Sequence, residues 1–173
     1  AASDYLGGGT DLAVKNIMAR MGAAVQLVNV DNNAYSNDLL ITDVNADVNA
    51  KTNAGAIYLI KDVDKKSGAL GLGNGNNYAV RWNGSQADDM LGHTNFSGSG
   101  VQLVNMDGNA YSNDLVITSG YADSGYTNAG AVYVIKVIDK KSGSVDLNGG
   151  QSFDVVFQGG QASACLGVTN GSG

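Results

Sequence analysis

The sequence predicts an all-β fold: two tandem four-stranded antiparallel β units, either propeller-blade-like or merged into a β-sandwich. Three observations predict it. The chain carries 25 Gly, many Asn and no Pro in 173 residues, and Gly and Asn accept the positive φ that tight turns between short strands require. One block recurs after about 75 residues, the signature of a stacked supersecondary unit. Within each block, short apolar stretches alternate with smaller or polar residues, as half-buried strands do.

The repeat is nearly complete. Val25-Gln26-Leu27-Val28-Asn29-Val30-Asp31 returns as Val101-Gln102-Leu103-Val104-Asn105-Met106-Asp107, and Asn33-Ala34-Tyr35-Ser36-Asn37-Asp38-Leu39 returns unchanged at 109–115. Further on, Asn53-Ala54-Gly55-Ala56-Ile57-Tyr58 matches Asn128-Ala129-Gly130-Ala131-Val132-Tyr133, and Asp64-Lys65-Lys66-Ser67-Gly68 matches 139–143. The units close with Tyr78-Ala79-Val80 against Phe153-Asp154-Val155, and Leu91-Gly92 against Leu166-Gly167. This divides the chain into an arm or inter-subunit segment at 1–21, a first repeat at 22–97 and a second at 98–173.

Taken in order, residues 11–22 fit the repeat poorly and read either as a helix or as the last strand of a preceding unit. Strands follow near 25–30, 38–42, 55–62 and 78–82, then near 101–106, 114–118, 130–138 and 153–157. Val80 and Trp82 alternate with Arg81, which makes Trp82 a core residue; the alternative is a contact aromatic beside Tyr121 and Tyr126. Cys165, aligned with Met90, reads as buried core.

Charge and length exclude several functions. A net charge of −6 repels phosphate, so nucleic acid is not an expected partner. No apolar run approaches the roughly 20 residues that cross a bilayer. The opening Ala1-Ala2-Ser3-Asp4 reads as a mature chain after removal of a signal peptide, with an extracellular location as the expectation, although a trimmed chain would open the same way.

The order of these elements resembles that of FG-GAP repeats, found in the β-propeller of integrin α chains and in secreted bacterial proteins. The resemblance rests on Leu91-Gly92, an Asn/Asp-rich loop ending Asn113-Asp114-Leu115-Val116-Ile117, a variable loop, and Gly130-Ala131-Val132-Tyr133-Val134-Ile135. It covers residues 22–173 as two units. It implies a calcium loop in each unit, with Asn29, Asp31, Asn33 and Asp38 as candidate ligands in the first and Asn105, Asp107, Asn109 and Asp114 in the second. Alternating oxygens followed by a carboxylate can wrap a hard cation. The pattern departs from the family's: Asn replaces Asp at the first position, the last Asp falls one residue late, and Ala34 and Ala110 replace the turn glycine. Fewer carboxylates place the affinity in the millimolar range. The other reading is that these side chains cap turns through their own backbone. A second acidic patch, Asp43 and Asp47 with Asn45 and Asn49, keeps only Asp123 in the second copy and reads as a solvated loop.

No catalytic set emerges. His93, replaced by Val168 in the second copy, reads as an exposed loop residue, and Asp88-Asp89, replaced by Ser163-Ala164, as a solvated turn. Gly71, Gly73 and Gly75 precede no helix pattern, so they form no phosphate loop.

A family propeller closes with about seven blades, and two units leave two faces bare. The expectation is therefore a non-enzymatic extracellular structural protein that self-assembles as a homo-oligomer or polymer, with calcium as a candidate stabiliser. The end at Gly173, where the first copy runs on into Val101, points to head-to-tail packing. The alternative is an adhesin or lectin-like binding module that takes a glycan or matrix protein.

Overall fold

The computed structural model describes residues 25–34, 36–93, 100–148 and 152–168. The segment 1–21, the helix-or-strand reading of 11–22 and the end at 169–173 lie outside these residues.

The chain is all-β, as the repeat predicts. In the first unit, β1 (Val25–Val28), β2 (Asp38–Asp43), β3 (Ala56–Ile60) and β4 (Val80–Asn83) form an antiparallel meander. In the second, β5 (Val101–Val104), β6 (Asp114–Ser119), β7 (Ala131–Ile135) and β9 (Val155–Gln158) repeat it. The registers are equivalent: Leu39 faces Ile60 and Leu115 faces Ile135, while Ile57 faces Trp82 and Val132 faces Phe157.

One strand breaks the symmetry. β8 (Gly143–Asp146), between β7 and β9 in sequence, leaves its own unit and pairs in parallel with β4, giving a five-stranded sheet β1-β2-β3-β4-β8 beside the four-stranded β5-β6-β7-β9. The sequence reading had no strand here, because Gly143-Ser144-Val145-Asp146 has one apolar residue and little strand propensity. Its conformation is imposed by the open edge of β4, with Gly143 N–H donating to Ala79 O and Leu147 N–H to Asn83 O, both at 3.0 Å. The expected strands at 55–62 and 130–138 stop at Ile60 and Ile135. Asp62 and Val137 take positive φ there, and each opens a 3-10 turn.

The two sheets stack face to face. Leu40, Ile57, Leu59, Val80 and Trp82 from the back of the first sheet share one core with Leu115, Ile117, Ala131, Tyr133 and Ile135 from the front of the second. β3 is buried at every position, and it therefore reads as a continuous apolar run, not an alternating one. On the front of the first sheet a second cluster gathers Ile41, Ala46, Val48, Ala56, Tyr58, Ile60 and Leu72.

The Leu-Gly ends of the units lock their strands from outside. Leu91 N–H donates to Ala54 O and Leu166 N–H to Ala129 O, both at 3.0 Å. The adjoining glycines, Gly55 at φ 81° and Gly130 at φ 78°, meet these segments so closely that a Cβ would overlap Leu91 N and Leu166 N. That close approach is the reason the Asn-Ala-Gly-Ala motif recurs.

Candidate functional site

Three regions compete for function: the Asn/Asp loops, the junction between the units, and the two outer sheet faces.

The two loops fold alike, and hydrogen bonds hold them. Asp38 is buried, and its carboxylate accepts from Val30 N–H at 3.0 Å and Asp62 N–H at 3.1 Å. Asp114 does the same with Met106 N–H at 2.7 Å and Val137 N–H at 3.1 Å. Each carboxylate thus ties the end of the unit's first strand to the turn after its third. Asn29 donates to Asn33 O at 2.8 Å, Asn33 to Asn37 Oδ1 at 2.7 Å and Asn37 to Asp64 Oδ1 at 2.8 Å. In the second loop Asn105, Asn109 and Asn113 repeat this ladder to Asp139 Oδ1. Asp31 and Asp107 are exposed, and each accepts from the backbone N–H two residues on, the Asx turn that such residues form unaided.

A cage for a hard cation needs six to eight oxygens facing inward. Here two amide N–H groups per loop face the other way, and one of the two expected carboxylates in each loop is bonded to backbone N–H groups just beyond the strand ends. One oxygen fits a cation better: Asn29 Oδ1 is buried with no hydrogen-bond partner among the described residues, while its counterpart Asn105 Oδ1 accepts from Gly108 N–H at 2.9 Å. A single such oxygen does not make a site, and the residues present do not fit a bound calcium as they are folded. Among the described residues no three His, Cys, Asp or Glu side chains come together as a metal-ligating group.

Asp47 and Asp123 prove equivalent, each accepting the backbone N–H of the Asn that opens the next turn, Asn53 at 2.9 Å and Asn128 at 2.7 Å. Asp43 is buried rather than solvated. Burial, reinforced by the Asp43 charge, pushes the Tyr58 hydroxyl up to about 12.

At the junction the sequence reading needs correction. Asp89 is not in a solvated turn: it is buried, accepting from Ser85 Oγ at 2.6 Å and Gln86 N–H at 2.7 Å, and burial raises its pKa above the usual carboxylate range. His93, expected to be exposed, is only 9 % exposed, with its ring centroid 5.6 Å from that of Tyr121. The segment carrying both crosses to the second unit, where Ser119 Oγ donates to Asp89 O at 2.8 Å and Gly92 N–H to Thr118 O at 2.7 Å. Asp89 and His93, both read as surface, are thus buried at the contact with the neighbouring unit, while Asp88 stays exposed. Cys165, the counterpart of Met90, is half-buried rather than core. Trp82 is fully buried, as its alternation predicts, which removes it as a contact aromatic, while Tyr126 is exposed. Beside the junction lies a cavity of about 290 Å³ lined by Ser85, Gln86, Asp123, Ser124, Tyr133 and Phe153 among others.

The outer faces carry apolar side chains that the sequence reading left unassigned. Among the described residues Val25 (45 %) and Leu27 (62 %) are exposed on the front of the first unit, and Met106 (50 %), Val155 (42 %) and Phe157 (57 %) belong to the back of the second. Their equivalents in the other unit, Val101, Val30, Val80 and Trp82, are buried in the shared core and Leu103 is partly buried against it. All five positions are apolar in both copies, and among the described residues no further unit covers either exposed set. Tandem copies in the sequence held this signal: a position apolar in both copies is covered in one unit and exposed in the other.

No protein-family model, no curated protein and no solved structure matches this chain.

Proposed function

We propose that this protein is a non-enzymatic structural subunit of an extracellular assembly, a filament, tube or surface layer, built by self-association of its outer sheet faces. The observation that carries this reading is the pairing of apolar faces. The back of the second unit presents Val155 and Phe157 where the first unit buries Val80 and Trp82, and a monomeric protein rarely leaves such faces bare. Front and back differ, so contacts between copies are heterologous and lead to rings or open filaments. The FG-GAP-like order of elements supports a repeat built for stacking, and the acidic, Asn-rich composition suits an extracellular setting. Assembly in this reading does not depend on calcium, because amide ladders already close the loops.

Negative-stain electron microscopy at high concentration tests the proposal. Ordered filaments, tubes or rings are expected, in chelator as well as in calcium. Dispersed monomers at every concentration would overturn it.

A second reading, a glycan-binding adhesin module, is favoured by the polar cavity beside the junction, where Tyr133 and Phe153 offer ring surfaces next to Ser85, Gln86 and Asp123. Protection of Ser124→Trp-sensitive binding on a glycan array is its test: an array with no binder leaves that reading without support.

A further inference from the structure

Resting on the self-assembly reading, we infer that the segment Gly68–Gly71 of one copy adds as a parallel strand to the edge of β9 in a second copy, repeating between molecules the β4·β8 pairing found within one.

The repeat supplies the register. β8 pairs Val80 with Gly143, Arg81 with Ser144, Trp82 with Val145 and Asn83 with Asp146. Gly68, Ala69, Leu70 and Gly71 occupy the places of β8 in the first unit, as Val155 to Gln158 occupy the places of β4 in the second. The contact between copies therefore sets Val155 opposite Gly68 and Phe157 opposite Leu70. Both partners are ready for it. Among the described residues β9 pairs with β7 on one side only, so its other edge carries backbone groups that no described strand takes up. Gly68–Gly71 lies outside every sheet of the described residues, although Leu72 beside it is buried as Leu147 is.

The face behind the segment agrees. A cavity of about 620 Å³ lies between residues 66–72 and the front of the first sheet, lined by Leu39, Ile41, Ile60 and Val63. Ile41 and Ile60 are already buried in the first unit's own front cluster, whereas Leu39 and Val63 are only partly buried where their equivalents Leu115 and Ile138 are fully buried in the shared core. This cavity is the socket that a preceding unit would fill. The back of a second copy, with the exposed Met106, Val155 and Phe157, is the matching surface, because it repeats the back of the first unit that already covers the second. A second copy is the occupant for that reason: both halves of the contact exist inside this chain as a working interface.

Polar contacts repeat in part. Lys61 Nζ donates to Asp139 O at 2.8 Å across the internal interface, and Lys136 stands ready to reach Asp64 O of the next copy. Asp146, which accepts from Asn49 and Asn83, is replaced by Gly71. The contact between copies therefore rests on apolar area and strand pairing, and it should resist salt.

The test uses the full chain in a Cys165→Ser background with Phe157→Cys and Leu70→Cys. Parallel pairing brings the two Cα atoms within about 5 Å, inside the span of a disulfide. Mild oxidation is expected to give a ladder of covalent oligomers that either single-Cys variant cannot extend beyond a dimer. Phe157→Asp, exposed and so compatible with folding by circular dichroism, is expected to weaken association at least about tenfold. Oligomers that form but never give the ladder would overturn the strand pairing and leave self-assembly standing. Strict monomers would overturn both.

Discussion

Trp82 and Phe157 hold the same place in two equivalent sheets, opposite Ile57 and Val132, yet Trp82 is 0 % and Phe157 57 % exposed. The difference lies in what stands beside them: β8 and the second unit cover Trp82, and nothing among the described residues covers Phe157. Burial here is set by position in a stack, not by residue type.

Truncation separates the two roles. Trp82→Ala should cost about 3–5 kcal/mol, the range for a large aromatic lost from a packed core, whereas Phe157→Ala should change the stability of the dilute monomer by no more than about 0.5 kcal/mol. Urea denaturation at low concentration measures both, and equal losses would mean that Phe157 is already packed.

The loop aspartates should behave unequally. Asp38→Ala leaves Val30 N–H and Asp62 N–H without their acceptor, so a loss of about 3 kcal/mol is expected from two stranded donors in and beside the core. Asp31→Ala opens one exposed Asx turn and should cost under about 1 kcal/mol. A larger penalty for Asp31 than for Asp38, appearing only in calcium, would show that the loop works as a cation site.

Calcium itself supplies another check. With the ladders intact, EDTA should leave the melting temperature unchanged, and millimolar calcium should raise it no more than magnesium does. A site with a dissociation constant of about 1 mM would instead add about 1.4 kcal/mol at 10 mM calcium, an effect that calorimetry would detect.

Asp89 predicts a pH dependence. Its folded pKa is raised above the ordinary 3.8 by burial, which the bonds from Ser85 and Gln86 only partly offset. The folded state therefore holds this proton more tightly than the unfolded chain, and the stability it contributes is present below pH 3.8 and is lost as pH rises through the folded value. Asp89→Asn keeps an acceptor for Gln86 N–H and abolishes that loss. Urea midpoints taken on both proteins across this range should diverge as pH rises, in favour of the variant; parallel curves would contradict the assignment.

Much of the fold was legible because the chain states it twice. The duplicated Asn-Ala-Gly-Ala turn and the Leu-Gly closure place β2, β3, β6 and β7 in register, and both depend on local backbone chemistry. What was not legible came from contacts between units. Gly143–Asp146 becomes a strand only against the open edge of β4, and Asp89 and His93 are buried by a unit that follows them in sequence. The candidate loops were read from their spacing as cation ligands or as turns, and that spacing could not reveal that each Asn points its amide at the next oxygen. Residue type alone does not say whether an amide presents oxygen or hydrogen; its neighbours decide.

The central claim, that the bare outer faces associate, is tested most directly by sedimentation velocity of the full chain across a wide concentration range, with Phe157→Asp alongside. Wild-type protein should shift to faster species as concentration rises, in low and in high salt, while the variant stays monomeric. A wild-type chain that remains a monomer at millimolar concentration would contradict the account.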